Sequence, residues 1–353
     1  SGGFDNTFGG GAGVHDAFLV KFNPAGGRLW ATYYGGTGED YGLAVTADVS
    51  GYVYLSGQTQ SASAIASGGF QNAFGGGFSD DFLVKFNSAG NRLWATYYGG
   101  TGDENAYAMG TNGCGVTTDD SGNVFLAGST SSTNAIASGG FDNTFAAGGN
   151  YDDFLVKFSS AGIRQWATYY GGSGTENEAY GGMSVAADAS GNIYLSGYTE
   201  STSGIASGGF DNTHGGGFWD AFLVKFNPAG ARLWATYYGG TMDDYGTSAA
   251  TDASGNVYLA GLTTSSNAIA SGGFQNTYGG SGGMSYGGDG FLVKFNAAGA
   301  RLWATYYGGS DDEELDMQSL AVDAGGNAFL SGDTYSTSGI ASGGFQNAFG
   351  GGM

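Results

Sequence analysis

The tetrapeptide Ser-Gly-Gly-Phe begins at Ser1, Ser67, Ser138, Ser207, Ser271 and Ser342, so the chain reads as five copies of one unit, 64 to 71 residues long, and the start of a sixth. A repeat of this length restricts the fold more than any other feature of the sequence. Every copy must form the same small structure, and copies that cannot bury their apolar surface alone must bury it against each other. Within each unit the order is constant. An Ile-Ala-Ser-Gly-Gly-Phe loop leads to Asp-x-Phe-Leu-Val-Lys-Phe, then to Arg-Leu-Trp-Ala-Thr-Tyr-Tyr-Gly-Gly, an acidic loop, an Ala-Val-x-x-Asp stretch and Asn-Val-Tyr-Leu-Ser-Gly.

No unit has a helical period. The apolar segments are short, rich in Phe, Val, Tyr, Trp and Thr, and bounded by glycine clusters, which predicts strands. In the first unit the pattern gives strand c over 18–22, strand d over 28–34, strand a over 43–47 and strand b over 52–56, with tight hairpins at Asp48-Val49-Ser50-Gly51 and Asn23-Pro24-Ala25-Gly26. A four-stranded antiparallel unit that is apolar on both faces packs on its own copies. Radial packing makes a β-propeller; a linear solenoid also satisfies the repeat, but its coils are usually shorter.

Composition removes several classes. With 73 glycines but 2 prolines, and with 24 phenylalanines and 23 tyrosines, the chain is neither collagen nor a disordered tail. Its formal charge of −21 makes nucleic acid and anionic lipid poor partners. No apolar run is long enough for a membrane helix, so membrane insertion is not expected, and the opening serine and glycines read as a mature chain or a piece of a longer one. Cys114 stands alone and gives no internal disulfide.

The stretch from Asp16 to Gly42, Asp-Ala-Phe-Leu-Val-Lys-Phe-Asn-Pro-Ala-Gly-Gly-Arg-Leu-Trp-Ala-Thr-Tyr-Tyr-Gly-Gly-Thr-Gly-Glu-Asp-Tyr-Gly, and the following Ala-Asp-x-Ser-Gly-Tyr-Val-Tyr-Leu-Ser-Gly closely resemble the bacterial β-propeller repeat called SBBP. They are more loosely similar to NHL-type blades. The resemblance implies a secreted or cell-surface propeller with strand a nearest the axis and d outermost. The family name implies seven blades, whereas this chain supplies strands for five: c–d pairs at Phe18, Phe82, Phe154, Phe222 and Phe291, and a–b pairs around Val45, Val116, Val185, Ala250 and Val322. The expected fold is therefore all-β, one domain over 1–353 with repeats starting at 1, 67, 138, 207 and 271 and a partial sixth over 342–353. Its five four-stranded antiparallel blades form a ring closed by the N-terminal c–d strands pairing with the C-terminal a–b strands, which removes exposed edges. The loops 1–11 and 342–352 are duplicates, and a closed ring needs one, which points to a longer array or to contact with another molecule.

The ten basic residues are all phased with the repeat: Lys21, Lys85, Lys157, Lys225 and Lys294 on strand c, and Arg28, Arg92, Arg164, Arg232 and Arg301 opening strand d. They read as architectural, each paired with a nearby acid such as Asp16 or Asp80; the alternative is a cationic rim for an anionic ligand. Trp30, Trp94, Trp166, Trp234 and Trp303 are phased too and are expected in the core between blades. Trp219 breaks the phase and is the candidate for an exposed contact.

The loops after strand d carry Glu39 and Asp40, Asp103 and Glu104, Glu176 and Glu178, Asp243 and Asp244, and Asp311 to Glu314, with Asp311 and Asp312 leading the last. Gathered on one rim, such carboxylates could hold calcium, which takes six to eight oxygens; the plain alternative is solvated loops. No cofactor is required. The loop between b and c repeats an aromatic beside an amide: Phe4 and Asn6, Phe70 and Asn72, Phe141 and Asn143, Phe210 and Asn212, Phe274 and Asn276. A ring that covers the apolar face of a sugar beside groups that take its hydroxyls is the chemistry of glycan binding, and several weak copies act together. The alternative is that these rings pin a glycine-rich loop to its blade.

Catalysis finds little support. His15 and His214 are not phased with one another, there is no Cys/His metal spacing or nucleophile elbow, and a glycosidase pair would break the repeat symmetry. The sequence thus points to a non-enzymatic, secreted or surface propeller with a structural, adhesive or self-assembling role, its partners being itself or a cell-surface glycan or protein. A multivalent lectin is the alternative, and a carbohydrate-active hydrolase the less favoured one.

Overall fold

The computed structural model describes residues 2–105, 113–146, 148–177, 183–280, 287–315, 319–348 and 350, and among them every named element is a strand. None of the described residues forms a helix long and apolar enough to cross a membrane. Strands β1 (Ala17–Phe22) and β2 (Arg28–Tyr34) make a two-stranded sheet. Four complete sheets follow in chain order. The first is β3 (Asp40–Ala47), β4 (Val53–Thr59), β5 (Asp80–Phe86) and β6 (Arg92–Tyr98); the second is β7 (Gly115–Thr118), β8 (Val124–Thr130), β9 (Asp152–Phe158) and β10 (Arg164–Tyr170). The third is β11 (Ser184–Ala187), β12 (Ile193–Thr199), β13 (Asp220–Phe226) and β14 (Arg232–Tyr238); the fourth is β15 (Asp244–Thr251), β16 (Val257–Thr263), β17 (Asp289–Phe295) and β18 (Arg301–Tyr307). Last come β19 (Glu313–Glu314), β20 (Leu320–Val322), β21 (Ala328–Leu330) and β22 (Asp333–Thr334), in two ladders, β19 with β22 and β20 with β21.

Each complete sheet is antiparallel in the order a, b, c, d, as the repeat predicts. Strand c is buried at all seven positions in β5, β9 and β13, so both faces of the sheet are core. That is why the segments read as apolar runs instead of a clean alternation. The register is the same from copy to copy: Phe82 lies opposite Tyr97, Val84 opposite Ala95 and Lys85 opposite Trp94, with an irregularity after Lys85. Fully buried Phe82 fits because its ring faces Gly57 of the neighbouring strand b, where a Cβ would come within 2.9 Å of it.

The ladder expected between the first c–d pair and the last a–b pair is not among those of the described residues. The pair β1–β2 stands as a sheet of its own, as does β20–β21. Among the described residues no strand b pairs with β1, and Phe18 is 71% exposed, whereas its counterparts Phe82, Phe154, Phe222 and Phe291 are wholly buried.

The outer edge of strand d is covered by the b–c loop of its own sheet. Ser67 and Ala95 exchange two backbone hydrogen bonds of 2.9 Å, and Ser138 with Ala167, Ser207 with Ala235 and Ser271 with Ala304 do the same. Gly69 lies so close to that strand that a Cβ there would be 2.5 Å from the Ala95 carbonyl oxygen. Four of the five phased tryptophans are buried, and Trp303 is half-buried. Trp94 spreads over Gly162 in the c–d turn of the next sheet and donates from Nε1 to the Ser160 carbonyl at 3.1 Å; Trp30 does the same over Gly90, with Ser88 as acceptor. Gly162 has φ +79°, so this turn needs glycine both for its backbone and for the indole above it.

The chain divides into two compact units. One is made mostly of Ser1–Gly171, the other mostly of Gly181–Asn227 and Arg232–Met353. Each holds its own cores, around Leu83, Trp94 and Phe154 in the first and around Leu223, Trp234 and Phe291 in the second.

Candidate functional site

Strand a begins earlier than its apolar run indicates, at Asp40 in β3 and Asp244 in β15, and this places one acid of each loop inside the protein. Asp40, Glu104, Glu176 and Asp244 are fully buried, and Glu313 nearly so. The first acid of strand c is buried with them: Asp80, Asp152, Asp220 and Asp289 have no exposed surface. Asp220 Oδ1 and Asp244 Oδ2 meet across Gly239, where a Cβ would be 2.5 and 2.7 Å from them. Asp80 with Glu104 across Gly99, Asp16 with Asp40 across Gly35 and Asp289 with Glu313 across Gly308 repeat the arrangement. Burial pushes the carboxyl of Asp80 up to about 7, that of Asp220 to about 8, Asp244 to about 7 and Asp289 to about 6.

The lysines do not pair with these acids. They reach the aspartates of the a–b turns instead: Lys157 lies 3.8 Å from Asp119, Lys225 3.6 Å from Asp188 and Lys294 2.9 Å from Asp252. The expected pairing with Asp16 or Asp80 fails because those carboxyls face the opposite way along strand c, toward the glycine pair after strand d. The arginines lie over the loop phenylalanines, Arg92 on Phe4 at 4.3 Å, Arg164 on Phe70 at 4.2 Å and Arg301 on Phe210 at 4.3 Å. The same guanidiniums donate to backbone: Arg164 and the Tyr98 hydroxyl both give hydrogen bonds to the Ile136 carbonyl.

The aromatic and amide residues of the b–c loops are therefore largely engaged. Phe4, Phe70 and Phe210 keep about two fifths of their surface exposed, but an arginine covers one face of each. Phe141 is exposed to the same degree and touches Tyr170; Phe274 is 82% exposed. Asn72 and Asn276 donate to Gly69 and Gly273 carbonyls and Asn143 accepts from the Gly139 amide, while Asn6 and Asn212 lie at the surface. Trp219 is half-buried, edge-on to Tyr198 at 4.9 Å; its neighbour Phe218 is the exposed ring, at 75%. Phe78 stands at the matching place in the first complete sheet and is also exposed.

Beside Phe70 lies a cleft of about 360 Å³ lined by Gln71, Gly99, Thr101, Asn134 and Arg164. Phe70 and Gln71 come from the b–c loop of one sheet, and Asn134 and Arg164 from the next; Asn72, the amide read beside Phe70, does not line the cleft. Asn134 Oδ1 already accepts from the Thr101 amide and hydroxyl at 3.1 and 3.2 Å.

The remaining acids act on loops. Glu39 accepts from the His15 amide and ring, Asp103 from the Phe78 amide, Asp243 from the Phe218 amide and Asp311 from the Asp312 amide. Asp312 is buried, and Glu178 lies outside the described residues. Among the described residues no three His, Cys, Asp or Glu side chains gather as a metal-holding group. His214 occupies the place of Phe74 and Tyr278 and packs edge-on against Tyr237 as they do against Tyr97 and Tyr306, so it fills an aromatic position.

Residues 233–267, from β14 through the a–b hairpin of the next sheet, match the SBBP family model, described as a beta-propeller repeat. The chain is a β-propeller repeat protein. This repeat protein is 24% identical over 301 residues to an uncharacterized WD repeat-containing protein, L264, of Acanthamoeba polyphaga mimivirus, a match that takes in 71% of the chain and 21% of that relative. Among solved structures it is similar to the Hadza microbial sialidase Hz136, with 10% identity, a TM-score of 0.38, and coverage of 75% of this chain and 46% of that one. The repeat protein thus spans about a fifth of the viral relative and under half of the sialidase.

Proposed function

We propose that this repeat protein is a non-catalytic scaffold, secreted or on a cell surface, with a structural or adhesive role and a tendency to associate with itself. The observation that carries this reading is how the reactive side chains are spent. Acids, lysines, arginines and the loop aromatics recur copy by copy as joints between strands and loops, whereas a catalytic site needs one place unlike the others. What the repeats leave outside is apolar: Phe78 and Phe218 on loop tips, and the face of β1 carrying Phe18 and Phe22. Exposed rings on a sheet edge favour addition of further strands.

Sedimentation velocity of the full chain across a concentration series, with electron microscopy of the same samples, tests the reading. Concentration-dependent oligomers or fibres that weaken in the Phe18→Ser, Phe22→Ser double variant are expected. A strictly monomeric species throughout would overturn self-association. The cleft at Phe70 favours a second reading, a glycan-binding one; hits on a glycan array that vanish in Arg164→Ala would move the function there.

A further inference from the structure

The paired carboxyl groups recur between strand c and the following strand a. Their other oxygens are fully served by donors. Asp220 Oδ2 accepts from the Gly215 amide at 2.5 Å, Asp244 Oδ2 from the Gly240 amide at 2.7 Å and the Ser265 hydroxyl at 2.9 Å, and Asp244 Oδ1 from the Thr263 hydroxyl. In the first complete sheet Asp80 Oδ2 accepts from Gly75, Glu104 Oε1 from Thr130 and Oε2 from Gly100. What remains is Asp220 Oδ1, and likewise Asp80 Oδ1 and Asp289 Oδ1, fully buried, without a hydrogen-bond partner, and aimed at the facing carboxyl.

Two carboxylate oxygens cannot face each other in a dry site with both charges present; something positive must lie between them. The surrounding amides can only donate, and the hydroxyls already give their hydrogens to these carboxyls while Thr263 and Thr130 accept from the Ser265 and Ser132 amides, so the site lacks the six to eight free oxygens that calcium needs. A proton needs only the one oxygen left without a partner and the carboxyl that faces it. We propose that each fully buried carboxyl pair, Asp220 with Asp244 and Asp80 with Glu104, binds one shared proton, and that losing it loosens the joint between consecutive sheets.

Other ionisable groups face the pairs. Around Asp220–Asp244 they are Asp211 and Asp243, His214 with Nδ1 3.8 Å from Asp220 Oδ2, and Tyr237, Tyr238 and Tyr306. Around Asp80–Glu104 they are Asp81, Tyr97, Tyr98 and Tyr169. Burial keeps His214 neutral and pushes Tyr97, Tyr169, Tyr237 and Tyr306 up to about 12, so none of these supplies a cation in the neutral range. Arg164 and Arg301 face the Tyr98 and Tyr238 hydroxyls.

The sign follows from linkage. A carboxyl raised above its unfolded value binds its proton more tightly in the folded chain, so its contribution is complete below the unfolded value near 4 and lost as pH rises through 7 to 8, where Asp80, Asp244 and Asp220 titrate. Thermal melts of the full chain at about pH 5 and about pH 8.5 should show the midpoint falling by ~5 °C or more. Asp220→Asn keeps the shape and gives Asp244 an N–H to accept; it should melt above wild type at the higher pH and lose part of the pH dependence. Should that variant fail to fold, infrared spectra of wild type serve, with a protonated-carboxyl band persisting at about pH 6 and gone by about pH 9. Equal midpoints at both pH values, no such band, or a midpoint that calcium and chelator move while pH does not, would each overturn the proposal.

Discussion

At the scale of single residues, four of the five copies carry two solutions to one buried position, and the fifth sets Leu315 against Gly290. Where strand c opens Asp-Ala, at Ala17 and Ala221, the facing segment reads Tyr-Gly, at Tyr41-Gly42 and Tyr245-Gly246; where it opens Asp-Asp, at Asp81 and Asp153, the facing residue is Asn105 or Asn177. Asn105 donates to Asp81 at 2.6 Å and accepts from the Ser129 amide at 2.9 Å, with its backbone at φ +51°. Asn105→Ala strands a fully buried carboxyl and leaves alanine in a left-handed conformation. It should cost ~3 kcal/mol in urea unfolding, and Asp81→Ala in the same chain should recover most of it. A single-variant loss under ~1 kcal/mol would show that the amide is dispensable. This covariation was open to sequence reading, as were the five invariant acids that begin strand c. The carboxyl pairs were not, because their members stand apart in sequence, 24 positions in the case of Asp80 and Glu104, and strand a carries its acid ahead of its apolar run.

At the scale of elements, strands b, c and d were legible because each carries a short apolar and aromatic run, although b continues through Gly57 to Thr59 where the pattern ended it at Ser56. Strand a was read short, since Asp40, Tyr41 and Gly42 do not look like strand until the buried serine and threonine hydroxyls that receive the acid are known. Lining up the units does offer a signal: Thr59-Gln60-Ser61, Thr130-Ser131-Ser132 and Thr263-Thr264-Ser265 keep the same two hydroxyls. The b–c loop was read as an aromatic platform, but its backbone bonds to strand d fix its place. Gly69→Ala should therefore lift the loop from β6 and raise hydrogen exchange at the Ala95 amide by at least ~10-fold, with the amides of β4 little changed. Unchanged protection at Ala95 would mean that the loop yields without releasing the strand.

At the scale of the whole molecule, the repeat announced its fold class, and one copy, over 233–267, matches the beta-propeller repeat model; the ladder joining first and last strand pairs was the part that repetition alone could not supply. Charge acts over the same scale. A chain at −21 repels itself, with its lysines and four of its five arginines already committed to joints, so screening should favour the folded state. Raising sodium chloride to about 0.5 M should lift the melting midpoint by a few degrees, about 2–4 °C per kcal/mol gained, at a pH where the buried carboxyls stay protonated. A midpoint lowered by salt would mean that attractive ion pairs, such as Lys294 with Asp252, outweigh the repulsion.

Near-identical neighbours on one polypeptide invite a particular error, in which a strand from one copy takes the seat of its twin. The lacing of Ser67 onto Ala95, and its three complete counterparts, works against that error, because each copy finishes its own flank with chain that is local in sequence before a distant twin can reach it. A gene built this way can gain or lose copies by unequal recombination while every surviving copy still knows where it stops.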